Sequence, residues 1–230
     1  MAKDRQKKLD RMDIIEIARE KPKPIFEFKK SRTPSREIVT VKDLIIGYDE
    51  ALTKPLNFSI ERNQKIAIRG VNGLGKSTLL NTLLRRIKPL SGEIEHGQFL
   101  EIGYFKQEEE SSTVQALDEF WNEFPGLTNA EARAALAKCG LTNDHITSQM
   151  RVLSGGENAK VRLAKIMNRE SNFLVLDEPT NHLDIDAKNE LKRALKEFQG
   201  TILLVSHEPD FYMDIATEIW DVENWTTKIV

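Results

Sequence analysis

One stretch constrains this chain more than any other. Gly70-Val-Asn72-Gly73-Leu-Gly75-Lys76-Ser77-Thr78 fits the phosphate-loop pattern G-x-x-x-x-G-K-[ST]. That pattern requires a strand before it and a helix after it, and the flanking residues satisfy both. Residues 64–69 (QKIAIR) read as a strand; residues 77–86 (STLLNTLLRR) read as a helix with Leu79, Leu80, Leu83 and Leu84 on one side. The glycines let the backbone turn so that successive N–H groups converge on phosphate oxygens. The helix adds its positive N-terminal end. Lys76 offers a point charge to β- and γ-phosphates, and the Ser77 hydroxyl can ligate magnesium.

A chain of 230 residues can form one full α/β domain or two small ones. Hydrophobic residues at 40% and charged residues at 30% are those of an ordinary water-exposed globule. No apolar run approaches the roughly 20 residues that cross a bilayer. The opening MAKDRQKKLDR lacks the apolar core of a signal peptide. A single cysteine, Cys139, excludes an internal disulfide framework. These features predict a cytoplasmic protein. The net charge of −2 hides an asymmetry: residues 1–36 hold twelve Lys/Arg against six Asp/Glu, leaving 22 against 30 for the rest. A basic segment joined to an acidic domain fits either nucleic-acid contact or a solvated helix face.

Along the chain, residues 3–20 read as a helix whose apolar positions (Leu9, Met12, Ile14, Ile15, Ile17) form no single stripe. Pro22 and Pro24 stop it, and residues 21–36 read as an extended linker, so the globular domain is expected from residue 37. Short β-type runs follow at 38–41, 44–48 and 56–60, then a patch of short strands over 92–105. Residues 113–140 read as helical, broken at Pro125-Gly126. Further on, residues 172–176 (NFLVL) and 201–205 (TILLV) are apolar runs suited to parallel strands buried on both faces. Between them, Ala187, Leu191, Ala194, Leu195 and Phe198 recur at helical spacing. This βαβ unit predicts a parallel-rich sheet flanked by helices.

Asp177 and Glu178 close the first of these strands, at the edge where α/β sheets bind ligands. Asp177 is placed to hold magnesium. Successive strand residues point oppositely, so Glu178 is available to polarise a water attacking the γ-phosphate. His207 follows the second strand and lands on the same edge, within reach of a γ-phosphate. His96 and His145 have no such setting and read as ordinary residues, and Cys139 as a small packed one. Leu153-Ser154-Gly155-Gly156-Glu157 precedes a helical run over 158–167, with Ser154 and Glu157 spaced as a capping box. Periodicity leaves two readings open there, a capped helix or a second anion-binding helix N-terminus.

In order and type these motifs resemble the ATP-binding cassette (ABC) family over about residues 37–225. The resemblance implies a P-loop ABC ATPase fold, with a parallel-rich core sheet, an antiparallel β-subdomain and a helical signature subdomain at about 108–168. It implies ATP and Mg2+ as ligands. Gly70–Thr78 resembles Walker A, residues 173–178 resemble Walker B, and Ser154, Gly155, Gly156 and Glu157 resemble the signature that serves ATP bound on a partner. Gln107 sits where the family places a glutamine touching magnesium and the attacking water. Asp184 matches the D-loop, His207 the switch histidine, and Tyr48 the aromatic that stacks on adenine. Catalysis would then rest on Glu178, His207 and Gln107, with Ser77, Gln107 and Asp177 around the metal.

The run Leu176-Asp-Glu-Pro-Thr-Asn-His-Leu-Asp184 resembles the ABC-F subfamily, cassette ATPases that act on ribosomes, and Glu157 in place of a glutamine agrees. ABC-F chains carry two cassettes joined by a charged helical linker. Residues 1–36 resemble the end of that linker and the remainder the second cassette, so the sequence is expected to be part of a two-cassette protein or a cassette that pairs with its own copy. The linker tip that approaches transfer RNA in that subfamily is expected to lie outside this sequence. Ribosome and RNA are the implied partners; the ATPase subunit of a membrane transporter is the rival reading, and a nucleotide-operated binding switch a third.

Overall fold

The computed structural model describes residues 23–107, 112–225 and 227. The helix expected at 3–20 and the stop at Pro22 lie outside the described residues. Two sheets organise what is described. Strands β1 (Glu37–Ile45), β2 (Leu56–Glu61) and β4 (Ser91–His96) form an antiparallel sheet ordered β2-β1-β4. Strands β3 (Lys65–Arg69), β5 (Ile102–Phe105), β6 (Phe173–Asp177), β7 (Thr201–Val205) and β8 (Glu218–Asp221) form a parallel sheet ordered β5-β6-β7-β3-β8.

β6 and β7 are buried at every position, as strands covered on both faces must be. The two runs expected at 38–41 and 44–48 are one strand, β1, whose pairing slips between Val41 and Leu44. Asp43 adopts φ 47° at that slip, the signature of a bulge, which interrupts the alternation that sequence reading relies on. The patch at 92–105 divides between the sheets, β4 joining the antiparallel one and β5 the parallel one. An aromatic trio links the two sheets: Phe58 of β2 lies 4.7 Å from Trp220 of β8 and 6.3 Å from Trp225, ring centre to ring centre.

Helix α1 (Lys76–Leu83) leaves the glycine loop and ends three residues before the expected Arg86, because Arg85 turns left-handed at φ 57°. The amides of Arg85 and Arg86 then close onto the carbonyls of Thr82 and Asn81. Residues 113–140 contain α2 (Ala116–Trp121) and α3 (Asn129–Lys138), separated at the expected break. Thr128 and Glu131 form a capping box that restarts the chain as α3. With α4 (Asn143–Thr147) and α5 (Gly155–Asn168) these helices pack around Phe120, Leu136, Ile146 and Leu163. Two more, α6 (Ile185–Glu197) and α7 (Pro209–Tyr212), complete the set.

Residues 23–36 run extended along the domain. Phe26 is 1% exposed and belongs to the main core cluster. Its amide donates to Glu190 Oε1 at 2.8 Å and its carbonyl accepts from Arg193 at 2.9 Å. Lys29 and Ser31 bracket Ser171 with backbone hydrogen bonds of 3.1 Å. The segment is thus laid down as an edge of the domain, and its core contribution begins before residue 37. Among the described residues no helix is long and apolar enough to cross a membrane.

Candidate nucleotide site

Strand order assembles the site. β3, β7 and β6 are neighbours in parallel register, with Ile68 beside Val205 and Val205 beside Asp177. Parallel strands lie about 4.8 Å apart. The glycine loop after β3, Ser206-His207 after β7 and Asp177-Glu178 at the end of β6 therefore emerge side by side. β5 extends the row, pairing Phe105 with Leu176, so that Gln107 emerges next to Asp177. A cavity of about 640 Å3 opens at this edge. Tyr48, Asn72, Gly73, Gly75, Lys76, Ser77, Thr78, Gln107, Asp177, Glu178 and His207 all line it. Tyr48 is 64% exposed at its rim, an aromatic face open to a ligand.

The loop holds its shape through backbone conformations that side chains resist. Gly73 and Gly75 sit at φ 83° and 92°. A Cβ on Gly73 would meet nothing, so the requirement there is conformational rather than steric. Gly70 contributes differently: its carbonyl accepts from Lys76 Nζ at 2.8 Å, and a Cβ would strike Val222 at 2.3 Å. Lys76 is buried and also donates to Val71 O (3.1 Å) and Asn72 Oδ1 (3.4 Å). Burial lowers its pKa, opposed by Glu178 and Asp177.

Glu178 is 6% exposed and adopts φ 49°, a left-handed conformation costly for a residue with a Cβ and commonest at functional sites. Burial pushes its carboxyl up to about 7, although Lys76 and the His207 backbone pull it down; Asp177 and Glu208 push it further up. His207 Nε2 lies 3.0 Å from Glu178 Oε1 and 2.7 Å from Asn72 Oδ1. Asn72 Oδ1 thus lies between Lys76 Nζ and His207 Nε2, and a proton on Nε2 would have Asn72 Oδ1 as its nearer acceptor. Glu178 Oε1 is buried and has no hydrogen-bond partner. Burial and then Lys76 lower the His207 pKa, favouring the neutral ring.

Asp177 is 2% exposed, and its Oδ1 likewise has no hydrogen-bond partner. Burial raises its pKa, while a hydrogen bond from Ser77 and the charge of Lys76 lower it. An orphaned carboxylate oxygen beside a serine hydroxyl, with the Gln107 amide nearby, is a hard-oxygen donor set of the kind Mg2+ takes together with phosphate and water. Among the described residues no group of three or more His, Cys, Asp or Glu is arranged to hold an ion alone. A metal here would share its ligands with a nucleotide.

The residues that resemble the signature lie elsewhere. Ser154 caps α5, accepting from the Glu157 amide at 3.4 Å, while Glu157 Oε2 accepts from the Ser154 amide at 2.8 Å. Neither lines the cavity. Gly155 and Gly156 press on His182, where Cβ atoms would fall 2.9 Å from its Cγ and 2.5 Å from its carbonyl oxygen. Asp184 caps α6 through the Ala187 amide (2.9 Å) and pairs with Lys160 of α5 (2.7 Å). Three residues with no assigned role enter here. His145, read as ordinary, lies 3.2 Å from Glu157. Asn181 and Glu208 line the cavity, and their only sequence signal is adjacency to the Walker B run and to His207. His96 accepts its ordinary place, with Nε2 2.7 Å from Leu83 O. Cys139 is buried, its thiol pushed up to about 12 by desolvation.

A glycine loop, two buried carboxylates and a histidine on one edge of a parallel sheet, with an antiparallel sheet and a helical layer attached, define a P-loop nucleotide cassette. The family model described as "ABC transporter" matches residues 53–181, and the chain belongs to that family of ATPases. It is 62% identical to the uncharacterized ABC transporter ATP-binding protein YfmM of Bacillus subtilis, over all of this chain and 45% of that protein. It is 36% identical to Protein GCN20 of Saccharomyces cerevisiae over 99% of the chain and 31% of that protein. The same identity holds to ABC transporter F family member 5 of Arabidopsis thaliana, over 97% of the chain and 33% of that protein. The chain thus spans less than half the length of these curated relatives. Among solved structures, a bacterial ABC transporter cassette determined as a dimer superposes with TM-score 0.68 at 21% identity, covering 80% of this chain and 95% of that one. A putative ABC transporter ATP-binding protein from Pyrococcus furiosus gives TM-score 0.66 at 23% identity over 82% and 99%. These last two likenesses concern the fold.

Proposed function

We propose that this chain is the ATP-hydrolysing second cassette of an ABC-F protein that acts on the ribosome, and that it turns over when paired with another cassette. The observation that carries the reading is the position of Glu178, buried at the strand end with its pKa near neutrality, beside Lys76, Ser77 and Asp177. Lys76 exchanges its bonds to Gly70, Val71 and Asn72 for oxygens of the β- and γ-phosphates. Tyr48 stacks on the adenine. Ser77, Asp177 and Gln107 hold Mg2+, which when bound screens phosphate charge. Glu178 accepts the proton of the attacking water, a task suited to a base poised near pH 7, and His207 donates to the γ-phosphate. Ser154 and Gly156 do not line their own cavity, which supports their use on ATP held by a partner.

The ribosomal part of the reading is supported by the Asn181-His182-Leu183-Asp184 run and by the ABC-F relatives. Its test is co-sedimentation of the full-length protein carrying Glu178→Gln with ribosomes. ATP-dependent association is the expected result. Association with membranes instead, or none that depends on ATP, overturns it. Pairing is tested separately: specific activity of the chain should rise with its own concentration.

A further inference from the structure

On another side of the domain, β5, α5 and the turn after α1 enclose a groove of about 180 Å3. Five cations line it: Arg86, Lys106, Arg162, Lys165 and Arg169. Two carboxylates answer them. Glu123 pairs with Arg169 and lies 3.6 Å from Lys165, and Glu119 lies 2.6 Å from Lys165. Among the described residues, five cations and these two carboxylates meet at the groove. Residues 37–230 as a whole carry 22 basic and 30 acidic side chains, whereas the described lining of this groove holds five cations and one carboxylate. Glu108, Glu109 and Glu110 follow Gln107 in sequence, outside the described residues.

We propose that this groove binds the phosphate backbone of RNA. The inference rests on the ribosomal reading for the source of the RNA, and on the groove for the site. Three of the five cations are arginines, whose planar forks suit phosphate. Two are stacked in advance: the Arg86 guanidinium lies 4.4 Å from the Tyr104 ring centre and that of Arg162 lies 4.9 Å from Phe105. Stacking holds each fork in place and spends an aromatic face on it, which reduces the ordering cost on binding. Arg162 and Lys165 sit three residues apart on α5, a rise of about 4.5 Å, and Arg169 follows as the extended C-cap of the helix. Such a row meets an anion that repeats along a strand. Arg162 Nη1 also donates to the carbonyls of Lys106 (2.8 Å) and Gln107 (3.0 Å), so the groove floor is joined to a residue of the nucleotide cavity.

The test uses a uridine oligoribonucleotide and measures its affinity across salt concentrations. Arg86, Lys106 and Arg169 are exposed; the triple variant Arg86→Gln, Lys106→Gln, Arg169→Gln removes them without opening the core. Lys42, Lys54 and Lys196 are exposed and do not line the groove, and their triple change to Gln is the control. Each lost phosphate contact flattens the log–log salt slope by about 0.7 for single strands, so three flatten it by about 2. Over a fourfold rise in salt, wild type should lose about 18-fold more affinity than the groove variant. The control should keep the wild-type slope. An unchanged slope in the groove variant, or an equal flattening in the control, overturns the proposal, as does a groove that captures an acidic peptide and leaves RNA affinity untouched by the three changes. A thermal melt of the groove variant matching wild type guards the comparison. Should the slope stay unchanged while Glu178→Gln still sediments with ribosomes, the groove assignment alone fails. Should the slope flatten without ATP-dependent sedimentation, the ribosomal reading alone fails.

Discussion

Replacing Glu178 by Gln should change how the stability of the nucleotide-free, magnesium-free chain depends on pH. The folded chain releases the Glu178 proton at about 7, against 4.5 when the group is unperturbed. The cause is burial: the carboxyl is 6% exposed, and its Oε1 lacks a hydrogen-bond partner. Between those two values the folded state retains a proton that the unfolded state has lost, so stability falls as pH rises across the window. Integrated from about pH 5 to about pH 8, this one group costs about 2.5 kcal/mol. Glutamine has no proton to release, so this contribution is absent from the variant, and groups out of reach of residue 178 titrate alike in the two proteins. The stability of Glu178→Gln relative to wild type should therefore improve by about 2.5 kcal/mol from about pH 5 to about pH 8. Urea unfolding of both proteins at those pH values measures it through the midpoint and an unchanged m-value. A difference that stays constant within about 0.5 kcal/mol across the range would refute the claim that burial holds the proton on Glu178.

The contacts of Gly155, Gly156 and Asp184 should separate under paired substitutions. Gly155→Ala and Gly156→Ala each drive a Cβ into His182 and should each cost about 1–3 kcal/mol in thermal unfolding. His182→Ala should rescue Gly155→Ala, whose clash is with the ring, but leave Gly156→Ala, whose clash is with the carbonyl, unrescued. Asp184→Ala removes the cap of α6 and the carboxylate facing buried Lys160, and should cost about 2 kcal/mol by denaturant unfolding; Asp184→Asn keeps the cap and should cost about half that. Phe26→Ala should cost about 3–4 kcal/mol by the same measurement, because its ring lies in the core; a loss below about 1 kcal/mol would show the extended arm to be dispensable.

Much of this protein is legible in its residues. The phosphate loop, the two apolar strands, the carboxylates at 177 and 178 and the histidine at 207 are local signals, each set by backbone preference or by the need to bury both faces of a strand. The connection from 172 to 205 even implies that Asp177 and His207 share a sheet edge, since a βαβ crossover leaves its two strands parallel. Other properties depend on neighbours distant in sequence. The order β5-β6-β7-β3-β8 brings residues near 72, 107, 177 and 207 around one cavity, and the packing of the antiparallel sheet adds Tyr48 to it. Phe26 reads as linker because two prolines and a run of charges surround it, yet it fills a gap beside α6 that only the packed helices create. Glu178 is a carboxylate like any other until burial takes away its solvent and holds it near pH 7. Five cations scattered between 86 and 169 become a groove only when β5 and α5 meet. Periodicity and motif record what a residue asks of its immediate backbone. Burial, charge accumulation and convergence are sums over the whole chain in space, and they existed nowhere before the chain folded.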